Sequence, residues 1–284
     1  MFELILENAN GDQLTFSQNS PFTISEIQGL NPPDATINMS ELALIDGALY
    51  NSAKLNVRTM NIAFAIEYEA AANRIEVYKV LKSKQYVKIY YNGSYRKVWI
   101  EGYIESIDIS YFEMKQIVTC NILCPSPYFK DAQDIVNNLT NITSSFHFPF
   151  YSTEEPQIVM GTITNDVGVT IDNEGDVECG LIIQMYARNT VSNPKILNYI
   201  TNAFFGIQYS LQTGDLVTID TRKGYKSVTL LRGGTTINLF NYIMQNSTWL
   251  QLEVDGSTFV YEVGTGNTVN LNVSFTHTSL YEGV

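Results

Sequence analysis

The chain has 284 residues, of which 45% are hydrophobic and 16% charged, with 17 Lys and Arg against 29 Asp and Glu for a formal net charge of −12. This composition belongs to a folded protein rather than a disordered one, and the acidic excess argues against non-specific nucleic-acid binding, which needs basic surface. Three cysteines do not describe a disulfide framework, and the longest apolar runs, such as Ile62–Ile66, are too short to span a bilayer. Met1–Asn10 carries Glu3 and Glu7 and no basic n-region, so no Sec signal peptide is expected.

The first element is a hairpin. Phe2, Leu4 and Leu6 alternate with Glu3, Ile5 and Glu7, and Asn10-Gly11 separates them from Leu14 and Phe16; Asn-Gly between alternating runs is the strongest short hairpin signal. Asn61–Glu67 reads as a strand. One helix follows over Glu69–Lys82, with Ala71, Ile75, Tyr78 and Leu81 as its expected apolar stripe. A second hairpin turns at Asn92-Gly93, and Tyr95–Ile100, Tyr103–Ile109 and Met114–Leu123 continue as strands. Two prolines one residue apart in Cys124-Pro125-Ser126-Pro127 cannot continue a central strand, so a first domain ends nearby, and the division falls at 1–133 and 134–284. The second half shows short alternating runs between turn signals at Asn173-Glu174-Gly175, Thr213-Gly214-Asp215, Lys223-Gly224, Gly233-Gly234 and Asp255-Gly256, the spacing of a sandwich or barrel. Asn198–Phe205 and Leu239–Gln245 read as short helical turns.

Charge is segregated. Residues 1–53 hold seven acids and no Lys or Arg, whereas residues 74–97 hold seven bases. No constellation for catalysis emerges. His147 and His277 are isolated strand residues, there is no nucleophile elbow or phosphate loop, and Cys120 and Cys124 lack a second pair for zinc. Glu101 and Glu105 sit too far apart along a strand for glycoside hydrolysis, and Asp172, Glu174 and Asp176 lack a calcium-loop pattern. No catalytic, cofactor-binding or metal-ligating residue is therefore expected. Trp249 and Trp99 lie in alternating stretches, with Trp249 a candidate glycan contact.

One stretch is distinctive: Gly29-Leu30-Asn31-Pro32-Pro33-Asp34-Ala35-Thr36-Ile37-Asn38, then Leu44-Ile45-Asp46-Gly47-Ala48-Leu49-Tyr50-Asn51-Ser52, then Val57-Arg58-Thr59-Met60-Asn61-Ile62. Further along come Glu101-Gly102-Tyr103-Ile104-Glu105-Ser106, Cys124-Pro125-Ser126-Pro127-Tyr128-Phe129, Phe146-His147-Phe148-Pro149-Phe150 and Gly214–Thr221. In this order they resemble the distal tail protein family of siphophages, the siphovirus tail component family. The resemblance implies a mainly β protein: an N-terminal β-sandwich with one helix and a long belt hairpin, then a C-terminal galectin-like or jelly-roll β-sandwich. It implies a structural adaptor of a phage tail tip or baseplate, not an enzyme. Such an adaptor forms a homohexameric ring between the tail tube protein and the tail-associated hub protein, carries receptor-binding or baseplate proteins, and leaves a channel for DNA in transit. It would reside in the virion at the distal end of the tail, without membrane insertion, after synthesis in the host cytoplasm. A carbohydrate-binding module or adhesin for host glycans is the alternative.

On that frame the belt Asn31–Met60 has too few apolar residues to stand alone and should be covered by a neighbouring subunit. The expected ring-interface residues are Asn31, Pro32, Pro33, Asp34, Asp46, Gly47, Tyr50, Asn51 and Arg58, with Lys79, Lys82 and Lys84 meeting the acidic stretch of the next copy. Glu26, Asp34, Glu41 and Asp46 are the expected channel lining.

Overall fold

The structure, a computed structural model, describes residues 2–43, 46–113, 115–144, 161–165 and 168–284. Leu44, Ile45, Met114 and the segment Phe146–Phe150 with His147 lie outside the described residues. The chain divides into two compact units, Met1–Ala132 together with Leu280–Val284, and Gln133–Ser279. The last five residues thus belong to the first unit, which a single cut at 133/134 does not contain.

The first unit runs β1 (Glu3–Asn8), β2 (Gln13–Phe16), β3 (Phe22–Gln28), β4 (Ala35–Glu41), β5 (Ala48–Leu55), β6 (Arg58–Ile66), α1 (Ala70–Val80), β7 (Tyr86–Asn92), β8 (Lys97–Ile109), β9 (Gln116–Cys124) and β10 (Phe129–Asp131). The Asn-Gly turn forms as read: Gly11 takes a φ of +86°, and the Asn8 side-chain oxygen accepts from the amides of Asn10 and Asp12. The main sheet has the order β2-β1-β7-β8-β9-β6-β3 with antiparallel neighbours. It curls until its two ends face each other. Phe16 of β2 meets Phe22 of β3 and Phe64 of β6 at ring-centroid distances of 5.9 and 4.8 Å. Leu4, Leu6, Ile62, Ile89, Ile100, Val118 and Ile122 line the enclosed core.

The helix forms where expected but presents a different face. Val77, Val80 and Leu81 are buried, whereas Ile75 is 57% exposed and Tyr78 37%. Apolar residues occupy two stripes of α1, and only one can lie on the sheet. The two runs expected either side of Gly102 are one strand, β8. A Cβ at Gly102 would lie 2.7 Å from the Ile122 side chain and 2.8 Å from the Leu123 carbonyl, so this glycine permits close strand approach instead of making a turn.

The second unit contains β11 (Ile135–Asn138), β12 (Thr140–Ser144), β13 (Gly161–Asn165), β14 (Gly168–Ile171), β15 (Cys179–Ala187), β16 (Val191–Ser192), β17 (Lys195–Asn198), β18 (Phe204–Gly206), β19 (Ser210–Leu211), β20 (Leu216–Asp220), β21 (Ser227–Arg232), β22 (Thr235–Asn238), β23 (Gln251–Leu252), β24 (Ser257–Glu262) and β25 (Leu271–His277). Its larger sheet runs β11-β25-β15-β20-β21-β22 and a second runs β14-β24-β17-β18. Phe259 of one stacks on Phe275 of the other at 5.0 Å, which makes a sandwich of the two. Asn198–Phe205 holds a single helical turn, closed by the Asn202 amide donating to the Asn198 carbonyl at 2.9 Å. It links β17 to β18, with the Asn198 side chain accepting from the amides of Ile200 and Thr201. Leu239–Gln245 does contain a single 3₁₀ turn, Phe240–Tyr242. The chain then returns to the first unit as β26 (Leu280–Tyr281), antiparallel to β10.

Candidate assembly surface

Between β3 and β6 the chain leaves the main sheet as a two-stranded ribbon, β4 paired only with β5. All seven residues of β4 and the first seven of β5 are exposed. The ribbon is two-faced. Ala35 pairs with Leu55 and Ile37 with Ala53 on one side, while Thr36 pairs with Lys54 and Asn38 with Ser52 on the other. A bulge after Asn38 shifts the register so that Met39 faces Tyr50. Were Asn51 paired in register with Met39 instead of bulged out, Tyr50 would join Ser40 among the polar residues, because a one-residue slip exchanges the faces. The bulge therefore completes an apolar side of Ile37, Met39, Tyr50, Ala53 and Leu55. The opposite side satisfies itself: Asn38 donates to Ser52 at 3.0 Å, Asn51 to Ser40 at 2.7 Å and Thr36 to Asn56 at 2.8 Å. With Ile37 55%, Met39 61% and Tyr50 67% exposed, the apolar side has nothing to pack on within the described residues of this chain. An uncovered two-stranded ribbon is marginal in water, and its two edges offer unpaired backbone groups.

The ribbon's root is rigid. Arg58, expected at the ring interface, is only 2% exposed and points inward. Its guanidinium donates to the carbonyls of Gly29, Asn31 (2.6 Å), Pro127 (2.8 Å) and Glu282 (2.6 Å) and lies 4.5 Å from the centre of the Phe129 ring. Desolvation holds its basicity below that of a free arginine. A side chain spent on four carbonyls of its own chain cannot contact a neighbour, so Arg58 is a clamp on the root. A signal for this was present: Arg58 shares strand parity with the core residues Met60, Ile62 and Phe64.

The remaining expected residues scatter along the ribbon and beyond. Asn31 and Pro32 are exposed at the root, with Pro33 half-buried and Asp34 accepting from the Asn56 amide at 2.9 Å. Asp46 and Gly47 sit at the far turn, where Gly47 has a φ of +90°. Lys82 and Lys84 are exposed, and Lys79 pairs with Glu76 at 2.6 Å on the same helix. Arg96, from the basic stretch, is engaged at home, donating to the Gly283 carbonyl at 2.6 Å. The expected channel residues do not form one cluster. Glu26 lies on the main sheet, accepting from Gln28 at 2.6 Å, whereas Asp34, Glu41 and Asp46 are spread along a ribbon of about 20 Å or more.

Cys120, Cys124 and Cys179 are buried and unpaired, and burial pushes each thiol up to about 12. Among the described residues no group of three His, Cys, Asp or Glu could hold a metal, and no helix is long and apolar enough to cross a membrane. Asp172 and Glu174 flank Asn173, whose side chain ties a turn through the Gly175 amide and the Val177 carbonyl. His277 is buried. Trp249 lies outside any strand, just before β23, and is half-buried, with Phe205 and Phe240 packed on its ring at 4.9 and 6.0 Å; Lys226 adds a cation 5.5 Å from the ring centre. Elsewhere in the second unit, Asn138, Gln184, Tyr186, Arg188, Asn272 and Ser274, with Leu216 and Val273, line a shallow groove of about 270 Å³ that mixes polar and apolar side chains.

Two family models match in the order of the units: a phage tail protein RIFT-related domain over residues 9–124 and a siphovirus-type tail component C-terminal domain over residues 174–278. The chain belongs to the siphovirus-type tail component family. It is a structural protein of a phage tail and has the mainly β architecture expected of one. This tail component is similar in fold to the Dit protein (gp 19.1) of phage SPP1, described as a hub adsorption apparatus in phages infecting Gram-positive hosts. The TM-score is 0.67 at 13% identity, over 99% of each chain. It also resembles chains of the phage P2 baseplate in its activated conformation with Ca, at TM-score 0.53, 14% identity and full coverage of both chains. The Sr form of that baseplate gives 0.50 at 12% identity, again over both full chains. No curated protein matches the sequence.

Proposed function

We propose that this tail component closes into a homohexameric ring through the β4–β5 ribbon, whose apolar side is covered by the next subunit. The observation that carries the reading is the bulged, two-faced ribbon: it gathers five apolar side chains on one side and leaves them to solvent. A contiguous exposed apolar face of this kind marks an interface. The exposed Lys82 and Lys84 of one copy would meet acidic residues of the next, setting register more than affinity. In this reading the ring joins the tail tube protein to the tail-associated hub, the second unit carries receptor-binding or baseplate proteins, and DNA passes through the centre. A lumen lined by acidic and polar side chains such as Glu26 would let the polyanion slide, since each Lys or Arg contact to phosphate adds affinity. Size-exclusion chromatography with light scattering tests the ring. The full chain should elute as a hexamer, and deletion of residues 33–56 should leave a folded monomer. Rings that survive that deletion would sink the proposal.

Glycan binding by the second unit is the second reading, and it draws on the groove around Gln184 and Tyr186 instead of on Trp249. Register places Gln184 opposite Ser274 and Tyr186 opposite Asn272, so amides, a hydroxyl and an aromatic ring share one face suited to sugar hydroxyls. Calorimetric titration with host-wall saccharides, on the full chain and on Tyr186→Ala, decides it.

A further inference from the structure

The second unit is inserted into the first. The chain leaves at β10 and returns at β26, with Phe129 paired to Tyr281 and Lys130 to Leu280. What returns does more than add two strand residues. The Glu282 carbonyl accepts from Arg58, the Gly283 carbonyl accepts from Arg96, and the Val284 amide donates to the Leu30 carbonyl at 3.2 Å. Arg96 also lies 4.3 Å from the centre of the Tyr281 ring, and the Tyr281 hydroxyl donates to Asp131 at 3.0 Å. Gly283 passes so close to the ribbon root that a Cβ there would sit 3.3 Å from both the Leu30 carbonyl and Cδ of Pro32. Gly29 to Pro32 is the segment by which the ribbon departs. Arg58 therefore holds both the departing segment, through Gly29 and Asn31, and the returning one, through Glu282.

We infer that residues 280–284 form a strap that fixes the direction in which the ribbon leaves the first unit, and that a copy becomes competent to assemble only once this strap has docked. The inference rests on the ring reading above. Its physical basis is order of synthesis: N-terminal parts fold first as the chain emerges, yet the first unit lacks β26 until all of residues 133–279 have been made. Until then the ribbon root has lost the Glu282 contact to Arg58 and the Val284 contact to Leu30, and the ribbon can swing. Premature rings of half-made chains are thereby avoided.

The test compares the full chain with one truncated after Ser279 and with Gly283→Val, which keeps the strap but crowds Pro32. Hydrogen exchange is read at the Asn56 amide, which donates to Asp34 at the ribbon root, with Ile62 and Phe64 of β6 as controls for folding. Both variants should exchange about tenfold faster at Asn56 with the controls unchanged, and both should form rings about tenfold more slowly by light scattering. Asn56 exchange within twofold of the full chain in Gly283→Val, with β6 intact, overturns the strap. Because exchange is read on the monomer, a full chain that never forms rings refutes the ring and still leaves the strap judged by Asn56.

Discussion

Replacing Arg58 by Lys keeps the charge and removes the fork. The guanidinium reaches four carbonyls from three separate stretches, Gly29 and Asn31, Pro127, and Glu282. An ammonium on a shorter stem is a compact point donor and can hold at most two of them. Hydrogen bonds to charged groups contribute about 1.5–3 kcal/mol each, so two lost bonds amount to about 3–6 kcal/mol. Water entering the vacated space recovers part of this, and about 3 kcal/mol is the expected net loss. Arg58→Met, which leaves all four carbonyls without a donor, should cost at least as much. The chain carries two tryptophans, Trp99 in the first unit and Trp249 in the second, so fluorescence can follow each unit separately. In a Trp249→Phe background, urea unfolding of Arg58→Lys should show the first-unit midpoint falling with an unchanged m-value. A loss below 1 kcal/mol would refute the clamp. So would an equal shift of the Trp249 transition in the complementary Trp99→Phe background, since the contacts lie in the first unit alone.

Other outcomes can be checked as directly. Tyr50, 67% exposed, is the largest side chain on the apolar side of the ribbon, so Tyr50→Ser should give weaker self-association by light scattering while the core stays folded. Asp215 is 1% exposed, accepts from Arg232 at 2.8 and 2.5 Å and from the Gln212 amide at 2.7 Å; because the Arg232 side chain is 29% exposed and stays solvated when its partner is removed, Asp215→Ala should destabilise the second unit by about 1–3 kcal/mol. The Arg232 hydrogen bond holds the Asp215 carboxyl below its ordinary 3.8, so its contribution is complete above that pH and is lost only as pH falls through the lower folded value. Burial lowers the His277 pKa below its ordinary 6.5, against the opposing charges of Glu174 and Asp134. Protonation then favours the unfolded chain, so stability should fall as pH drops below 6.5, and His277→Phe should flatten that slope in unfolding titrations. The three buried thiols should resist alkylation at pH 8 in the native protein and react once urea unfolds it.

Local chemistry was legible wherever it is local. The Asn10-Gly11 turn, the existence of α1 and the alternating strands all follow from neighbouring residues, and so does the ribbon's exposure, because its strands carry fewer apolar residues than those of the main sheet. What depends on distant partners was not. Which of two stripes α1 buries is decided by the sheet beneath it, and Val77 and Val80 win over Ile75 by position alone. Gly102 resembles a turn residue until β9 is seen pressing against it. Strand β26 is two residues long and pairs with a segment some 150 positions earlier, which leaves no periodicity to read. Arg58 is expected at the interface because it lies within the belt Asn31–Met60, yet its place in the rhythm of Met60, Ile62 and Phe64 marks it as inward-facing. The bulge at Asn38/Met39 has no signature beyond a run of small polar residues.

The pairing of β10 with β26 also has a meaning for how such tails diversify. Register partners across an antiparallel pair lie about 5 Å apart, and Lys130 and Leu280 are such partners. Everything between them therefore enters and exits the first unit through one narrow doorway. A doorway of that width can be bridged by a short loop or fitted with a different module without moving any strand of the main sheet. The arrangement makes residues 133–279 a cassette: the inserted module can be exchanged at two fixed sites while the ribbon and its root are inherited unchanged.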